Sequence, residues 1–195
     1  MGSHQSTSDK LLSAAIELMA AKGYDGTTTK EIALAAGVNE VTLFRHFGTK
    51  QKLLETAFEQ YHYAEEMTKL FRESLSGELH TDLLLISRTY HRIMNRNRKL
   101  FFIAHKGSSV LPDEVYEEAA RHPRHLRDLL TGYFRTMAER KTVVTPNPEM
   151  TAMSFMWMNY GSFMSGLKAD ETAPEETLNA FIEESVRLFA RALTP

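Results

Sequence analysis

Apolar residues recur at intervals of three and four along most of the chain, the spacing of one face of an α-helix. Glycine, proline and short polar stretches separate these segments. No stretch alternates apolar and polar residues as a half-buried strand does. The pattern predicts an all-α protein of about nine helices. They are expected near residues 8–22, 29–36, 40–47, 50–74, 81–96, 99–105, 112–141 (divided at Pro123), 148–167 and 173–193.

Two short helices near the amino terminus carry clear start and stop signals. Thr28 followed by Glu31 is a capping box, in which each side chain bonds the other residue's backbone amide. Gly37 can make the tight turn that follows, and Asn39 is a good cap for the second helix. Gly48 ends that helix. Two helices joined by a glycine-containing turn predict a helix-turn-helix, whose second helix enters the DNA major groove.

A helix-glycine-helix corner also occurs in many helical bundles, but this match is longer. It extends over Ala14-Ala15, Gly23-Tyr24, Thr28-Thr29, Ile32-Ala33, Ala36-Gly37-Val38, Thr42-Leu43, His46-Phe47, Lys50 and Leu53. On these residues, within about the first quarter of the chain, the sequence resembles the TetR family of one-component transcriptional regulators. One position departs from the family, which usually has Tyr where this chain has Phe44. Phe44 has no hydroxyl to donate to phosphate, whereas contact with a thymine methyl stays open.

The resemblance implies roles for residues of the helix-turn-helix. Glu40, Val41, Thr42 and Phe44 would face the bases, Thr29, His46 and Lys50 would meet phosphate, and Lys30 would reach the groove edge. By their chemistry, Glu40 could accept from cytosine, Thr42 could contact either base type, and Arg45 could reach guanine or phosphate. The alternative for each is a solvated charge or a helix cap. The predicted DNA-binding residues are Thr28, Thr29, Lys30, Asn39, Glu40, Val41, Thr42, Phe44, Arg45, His46 and Lys50.

The predicted division places a helix-turn-helix DNA-binding domain at residues 1–52 and an effector-binding and dimerisation domain at 53–195. Apolar residues of the first three helices should form a small core, and the following helix should pack against it. No glycine or proline interrupts residues 50–74, so a shared helix is expected between the domains instead of a flexible linker.

The last two predicted helices are rich in apolar residues. Residues 148–167 are apolar on nearly every side, which predicts burial on more than one face. Burial alone leaves two interpretations: a thick core within one chain, or a two-fold dimer whose helices pair into a four-helix bundle. The resemblance implies the homodimer, with two recognition helices about one DNA turn, or a small multiple, apart.

Ten methionines and eleven phenylalanines are many for this length. A methionine stripe is more often plain core, yet flexible methionines with aromatic rings also suit an adaptable apolar cavity. The resemblance implies a small, often apolar effector between the middle helices. The predicted ligand-binding residues are Met67, Phe71, Tyr90, Met94, Phe102, Tyr133, Phe155 and Asn159. Arg88, Arg92 and Arg96 share one helix side; we favour a solvated face paired with Glu, with an anionic ligand as the alternative.

Composition and the absence of motifs reduce the number of function classes that fit the chain. The net charge is −2, and residues 1–52 carry six basic and five acidic side chains, so DNA affinity would depend on local arrangement. The absence of cysteine removes disulfides and thiolate metal sites. No signal peptide or membrane-spanning run is expected, which favours a cytoplasmic protein. No catalytic motif is recognisable, and His122 and His125 lack a carboxylate at a metal-site spacing, so we expect neither an enzyme nor a cofactor or metal.

The sequence therefore predicts a ligand-responsive DNA-binding regulator. It would be a repressor that binds a palindromic double-stranded operator as a dimer and is released or modulated by a small, mainly apolar effector. The alternative from another class is a ligand-binding or protein-interaction adaptor that does not act on DNA.

Overall fold

The computed structural model describes residues 6–60, 64–106, 111–166 and 174–195. Within these ranges all regular secondary structure is helical, which confirms the predicted all-α fold class. The ten helical segments are α1 (Thr7–Lys22), α2 (Thr29–Ala35), α3 (Glu40–Phe47), α4 (Lys50–Gln60), α5 (Ala64–Glu73), α6 (Leu79–Arg96), α7 (Arg98–Lys106), α8 (Asp113–Glu139), α9 (Pro148–Ser165) and α10 (Glu175–Leu193). No helix within the described ranges is both long and apolar enough to span a membrane.

Local signals place most helix ends close to their predicted positions. Ser6 caps α1 through a capping box with Asp9, and Gly23 ends this helix with a φ of 80°. Both α4 and α5 lie in the stretch predicted as one helix, but residues 61–63, on which that continuity depends, fall outside the described ranges. The predicted helix start at residue 173 also falls outside them.

The predicted division of residues 112–141 at Pro123 is wrong. α8 runs from Asp113 to Glu139 with Pro123 inside it. An internal proline removes one helical hydrogen bond and crowds the carbonyl four residues earlier, at a cost of about 3 kcal/mol. Val115 before the proline and Leu126 and Leu130 after it are all buried. Burying a Val or Leu side chain contributes about 1.5–3 kcal/mol, so packing on both sides outweighs the local penalty.

The chain forms two compact units whose bounds differ from the predicted cut after residue 52. The first unit comprises Met1–His62 and Asn97–Ala120, and the second comprises Tyr63–Arg96 and Arg121–Pro195. A segment distant in sequence therefore joins the helix-turn-helix unit, and α8 contributes residues to both units.

The core of the first unit contains apolar residues of α1, α2 and α3, as predicted, among them Leu11, Ile32 and Leu43. As expected, α4 supports it, through Leu53, Leu54, Ala57 and Phe58. α7 supports it as well, through Leu100 and Ile103. Local periodicity contains no information about that partner.

The second unit is built from α5, α6, α9, α10 and most of α8. Aromatic rings meet edge to face through its centre. Ring centroids are 5.5 Å apart for Tyr133 and Phe134, 6.5 Å for Phe134 and Phe155, and 5.3 Å for Phe155 and Phe189. Such pairs contribute about 0.5–1.5 kcal/mol each beyond the area that they bury.

Candidate DNA interface

The starts of α2 and α3 and the turn between them have the bonds and backbone conformation that the sequence predicts. The Thr28 backbone N–H donates to Glu31 Oε2 at 2.9 Å, and Thr28 Oγ1 accepts from the Glu31 N–H at 3.2 Å. Gly37 has a φ of 70°, in the left-handed region. Asn39 Oδ1 accepts from the Val41 N–H at 2.9 Å. The predicted capping box, glycine turn and cap of α3 are thus confirmed.

One side of α3 packs into the core and the other side is exposed. Leu43 is fully buried and Phe47 packs against the same core. Val41 and Phe44 are 72% and 47% exposed, and Arg45 is also exposed. A helix anchored in this way presents its free face to a partner, as the second helix of a helix-turn-helix does in the major groove.

Two cations of the helix-turn-helix, one on α2 and one on α3, have no competing partner within the described part of the chain. Lys30 and Arg45 are exposed, and neither makes a hydrogen bond or ion pair with a described residue. Lys22, in contrast, is paired with Glu31 at 2.7 Å. Lys30 and Arg45 are therefore available for phosphate oxygens or base edges.

The structure joins two of the predicted site residues to each other. Thr29 Oγ1 donates to Glu40 Oε1 at 2.6 Å, which ties the start of α2 to the start of α3. A threonine hydroxyl has one proton to donate, so a phosphate contact through it would require this bond to be exchanged. Glu40 retains its second carboxylate oxygen, which could still accept from a base.

Lys50 holds the loop that precedes α2. Its Nζ donates to the Tyr24 carbonyl at 2.8 Å and to the Thr27 carbonyl at 3.0 Å. It also lies 4.1 Å from the centroid of the Tyr24 ring. Two of its three N–H donors are thereby used within the protein. This structural role accompanies the phosphate contact predicted by resemblance, and its partners lie too far back along the chain for the sequence to show it.

Electrostatics reinforce the capping box. The salt bridge from Lys22, followed by the hydrogen bonds from Thr28, lowers the pKa of Glu31 to about 2. Glu31 is therefore ionised at neutral pH. A carboxylate at the amino terminus of a helix is favourable because the first-turn N–H groups lack helical partners.

Comparison with known proteins identifies the family. The family model for bacterial regulatory proteins of the tetR family matches residues 11–57. The chain is 31% identical over 188 residues to the HTH-type transcriptional regulator YvkB of Bacillus subtilis (strain 168), which covers 96% of this chain and 97% of YvkB. This chain belongs to the TetR family. It is accordingly a helix-turn-helix, DNA-binding transcriptional regulator.

Two further matches to this TetR-family chain are a curated regulator and a solved structure. The HTH-type negative transcriptional regulator IcaR of the icaADBC biofilm operon, from Staphylococcus aureus (strain Newman), is 40% identical over 47 residues, which is 24% of this chain and 25% of IcaR. The crystal structure of AibR in complex with isovaleryl coenzyme A and operator DNA has a TM-score of 0.69 at 18% identity. It covers 94% of this chain and 97% of AibR, and at that identity it shows the shared fold alone.

The predicted ligand-binding residues of this TetR-family protein are distributed over both units. Met67, Tyr90, Met94, Phe155 and Asn159 are buried in the second unit, whereas Phe102 lies on α7 of the first. Phe71 and Tyr133 meet edge to face, with centroids 6.3 Å apart. These two line a cavity of about 310 Å³ together with Leu75, Met137 and Arg140. The described residues thus bring two of the eight predicted residues to one cavity.

The Tyr133 hydroxyl beside that cavity already donates a hydrogen bond within the protein. Tyr133 donates to Asp82 Oδ2 at 2.9 Å, and the buried Asp82 also accepts from the Ser76 N–H at 2.7 Å and the Gly77 N–H at 2.9 Å. Burial, followed by the bond to Asp82, raises the pKa of Tyr133. The tyrosine is therefore neutral and fixes the turn before α6. The sequence offered Tyr133 as a ligand contact and did not show this network.

The three arginines of α6 are paired as the favoured interpretation predicts. Arg88 lies 3.0 Å from Glu183, Arg96 lies 3.2 Å from Glu66, and Arg92 also pairs with Glu66. All three arginines are exposed. This face is a solvated ion-pair surface. Burial acts to raise the pKa of Glu66, but the bonds and charges of Arg92 and then Arg96 together outweigh it, so the pKa is lowered.

The histidine pair of α8 shows no metal-site geometry. His125 Nε2 lies 2.7 Å from Thr68 Oγ1. Among the described residues, no group of three or more His, Asp or Glu side chains could hold a metal ion.

Proposed function

We propose that this protein is a repressor that binds a palindromic DNA operator as a homodimer in the cytoplasm, and that a small, mainly apolar effector releases or modulates it. The observation that carries the proposal is the open face of α3, where Val41, Phe44 and Arg45 are exposed while Leu43 is anchored in the core. The negative regulation stated in the name of IcaR supports repression.

The side chains on this face suit base edges. Val41 and Phe44 are apolar and exposed, which suits contact with thymine methyl groups. Arg45 can donate two bonds to guanine, and the unbonded oxygen of Glu40 can accept from cytosine. Each good contact of this kind discriminates against a wrong base by about 1–3 kcal/mol.

Homodimer formation is supported by the outward sides of α9 and α10. The buried side of α9 holds Ala152, Phe155, Asn159 and Phe163. Its opposite side exposes Met150, Ser154, Trp157, Gly161 and Ser165, at helical spacing. On α10, Phe181 and Leu188 are exposed. Large exposed apolar side chains mark interaction surfaces, and a second copy of these two helices would complete a four-helix bundle and bury α9 on both sides.

DNA binding is tested by selecting sites from random duplex DNA and then titrating the selected site by fluorescence anisotropy at several salt concentrations. Arg45→Ala should weaken binding and lower the salt slope by about one per half-site, because one phosphate neutralisation contributes about 0.9 to the slope. Arg135→Ala removes an exposed arginine of the second unit and should change neither the DNA affinity nor the salt slope. If no duplex is enriched, the proposal is wrong and the adaptor alternative is favoured.

The dimer is tested by sedimentation of the full chain. Trp157→Glu combined with Leu188→Glu should give a monomer and abolish tight operator binding, because burying an unpaired carboxylate in the bundle is unfavourable. Val144→Glu alters another exposed apolar residue, in the loop before α9, and should remain dimeric. A wild-type protein that sediments only as a monomer would contradict this part of the proposal.

The effector would bind in the second unit and alter the operator affinity of the first. AibR was crystallised with an acyl coenzyme A and operator DNA, which supports a ligand-responsive protein on this fold. Coupling between two such sites typically amounts to about 1–3 kcal/mol, or 5- to 150-fold in affinity. Compounds that stabilise the protein in a thermal-shift screen should change operator affinity by that amount; a ligand that binds without any such change contradicts coupling for that ligand.

A further inference from the structure

The cavity of about 310 Å³ in the second unit has mainly apolar walls. Phe71 of α5 and Leu75 of the turn before α6 form one side, and Leu129, Tyr133 and Met137 of α8 form the other. Protein interiors rarely contain voids larger than a water molecule, which occupies about 30 Å³ in the liquid. The volume is instead that of a small pocket for an organic ligand.

The cavity is elongated along α8. Its α8 wall extends from Leu129 to Arg140, which follows the last residue of the helix. The Arg140 N–H donates to the Thr136 carbonyl at 3.1 Å, so Arg140 continues the helical geometry. At 1.5 Å per residue this wall is about 16 Å long. An occupant would therefore be elongated too, with its two ends in different surroundings.

One end of the cavity has a cation that is available to a ligand. Arg140 is exposed, and its guanidinium makes no hydrogen bond or ion pair with a described residue. Thr136, one turn earlier, also lines the cavity, and its hydroxyl likewise makes no bond to a described residue. Helical side chains lean towards the amino terminus, so Arg140 can reach over Thr136. A guanidinium can donate two parallel bonds to a carboxylate, and the hydroxyl can donate a third.

The region around the Tyr133 ring has the opposite charge. The Tyr133 hydroxyl donates to Asp82. After burial, the bond to Asp82 and the charges of Asp82 and Glu78 raise the pKa of Tyr133. An anionic group is therefore disfavoured beside Tyr133 and favoured beside Arg140, two turns further along the chain.

The charges at the end of α8 can balance one negative charge. Helix carboxyl termini carry a partial negative charge that opposes an anion, but the Met137 carbonyl is bonded by the Thr142 N–H at 3.1 Å. Arg140 and Lys141 are exposed cations, against one exposed anion, Glu139. A carboxylate carries one charge, whereas a phosphate monoester carries about 1.5 to 2. The local charge therefore favours a monocarboxylate.

Gly132 leaves open space in the α8 wall. It lines the cavity, and a Cβ atom added to it would meet no heavy atom within 4 Å. Glycine is less favourable in a helix interior than every residue except proline. Gly132 therefore lowers the stability of α8 without any close contact that requires it. The result is a wider cavity, which suits a site that must admit a ligand.

We propose that this cavity binds an elongated apolar molecule with one carboxylate, which pairs with Arg140 and Thr136 while the apolar body lies beside Tyr133. This inference rests on the proposed effector response, and it names the chemical class and the site of the effector. It adds Arg140, Thr136 and Gly132 to the predicted residues Phe71 and Tyr133.

Three probes with the same alkyl chain length test the ligand class by calorimetry on the full chain at pH 7: octanoate, 1-octanol and octylammonium. We expect octanoate to bind at least about tenfold more tightly than 1-octanol, because hydrogen bonds between charged groups are stronger than neutral ones. Octylammonium should bind most weakly, because its charge is repelled by Arg140.

Variants of α8 and the residue after it test the site. Arg140→Gln should remove most of the preference for octanoate over 1-octanol, whereas Arg135→Gln, an exposed arginine outside the cavity, should preserve it. Gly132→Leu should fill the space and weaken binding of both probes. Gly132→Ala adds a single methyl group and should retain most of the binding.

A further measurement does not depend on any ligand. Because leucine favours a helix more than glycine and the space is open, Gly132→Leu should leave the urea midpoint unchanged or raise it. A lower midpoint would show that the side chain has no room and would overturn the inference. Equal binding of the three probes, tightest binding of octylammonium, no binding of octanoate, or an unchanged preference in Arg140→Gln would also overturn it.

The outcomes separate this inference from the proposed function. Operator binding by a protein that does not distinguish the three probes would refute the carboxylate site and leave DNA recognition intact. Selective binding of octanoate, lost in Arg140→Gln, by a protein that binds no duplex would support the site and refute the repressor.

Discussion

Replacing Lys50 with methionine should destabilise the first unit, because this lysine fixes the loop that positions α2 and α3. The substitution keeps most of the aliphatic stem and removes the ammonium group. Tyr24 O retains a donor, the Thr27 N–H at 3.2 Å. Thr27 O loses the bond from Lys50.

The expected loss in free energy of unfolding follows from these contacts. Hydrogen bonds to charged groups contribute about 1.5–3 kcal/mol each, and the lower limit applies because Lys50 is partly exposed. Two such bonds give about 3 kcal/mol. The ring contact adds about 0.5 kcal/mol at an exposed site, most of which methionine can replace. Allowing for the hydration that the free ammonium would recover, we expect a net loss of about 2–3 kcal/mol.

The assay is urea unfolding followed by far-ultraviolet circular dichroism. The single tryptophan, Trp157, lies on α9 in the second unit, so its fluorescence follows that unit separately. Lys52→Met is the matched control on the same helix. Lys52 is 53% exposed and pairs with Glu55 at 3.0 Å, and exposed pairs contribute about 0–1 kcal/mol.

A loss below about 0.5 kcal/mol for Lys50→Met, close to ordinary surface substitutions, would refute this structural role. If operator affinity and its salt slope then fell while stability stayed constant, phosphate contact would be the main function of Lys50. If stability falls and the salt slope is unchanged, the loop contact is its main function.

Three further predictions concern stability. Asp82→Asn should cost about 2–3 kcal/mol in free energy of unfolding, because the buried carboxylate accepts charge-assisted bonds on both oxygens and an asparagine NH₂ cannot accept. Tyr133→Phe removes one of those bonds and should cost about 1 kcal/mol; equal losses by Trp157 fluorescence would contradict this. The pKa of Glu31 is lowered from 4.5 to about 2, so its contribution is complete above pH 4.5 and is lost as the pH falls towards 2. Glu31→Gln should therefore flatten the decline of melting temperature across that window, and an equally steep decline would contradict the salt bridge. Gly48 has a φ of 73°, so Gly48→Ala should cost about 1–2 kcal/mol in urea unfolding followed by circular dichroism; an unchanged midpoint would show that the turn relaxes.

Short-range chemistry made the helix-turn-helix predictable from sequence. The capping box of Thr28 and Glu31 and the cap at Asn39 involve residues two or three positions apart. The glycine turns need only a backbone that tolerates positive φ. Leu43 and Val41 could be assigned to opposite sides of α3 because helical periodicity decides which residues share a face.

The sequence by itself determined the helical class, the helix-turn-helix and the family, because each of these depends on neighbours within a few positions. Tertiary structure alone decided that Lys50 bonds to carbonyls 26 and 23 residues earlier, that α7 joins the first core, and that α8 continues through Pro123. It also placed Asn159 of α9 near His91 of α6. Periodicity within each helix cannot reveal which helices pack together. The physical reason is that segments distant in sequence stabilise the fold by packing against each other. This stabilisation outweighs local helix propensity where enough apolar surface is buried.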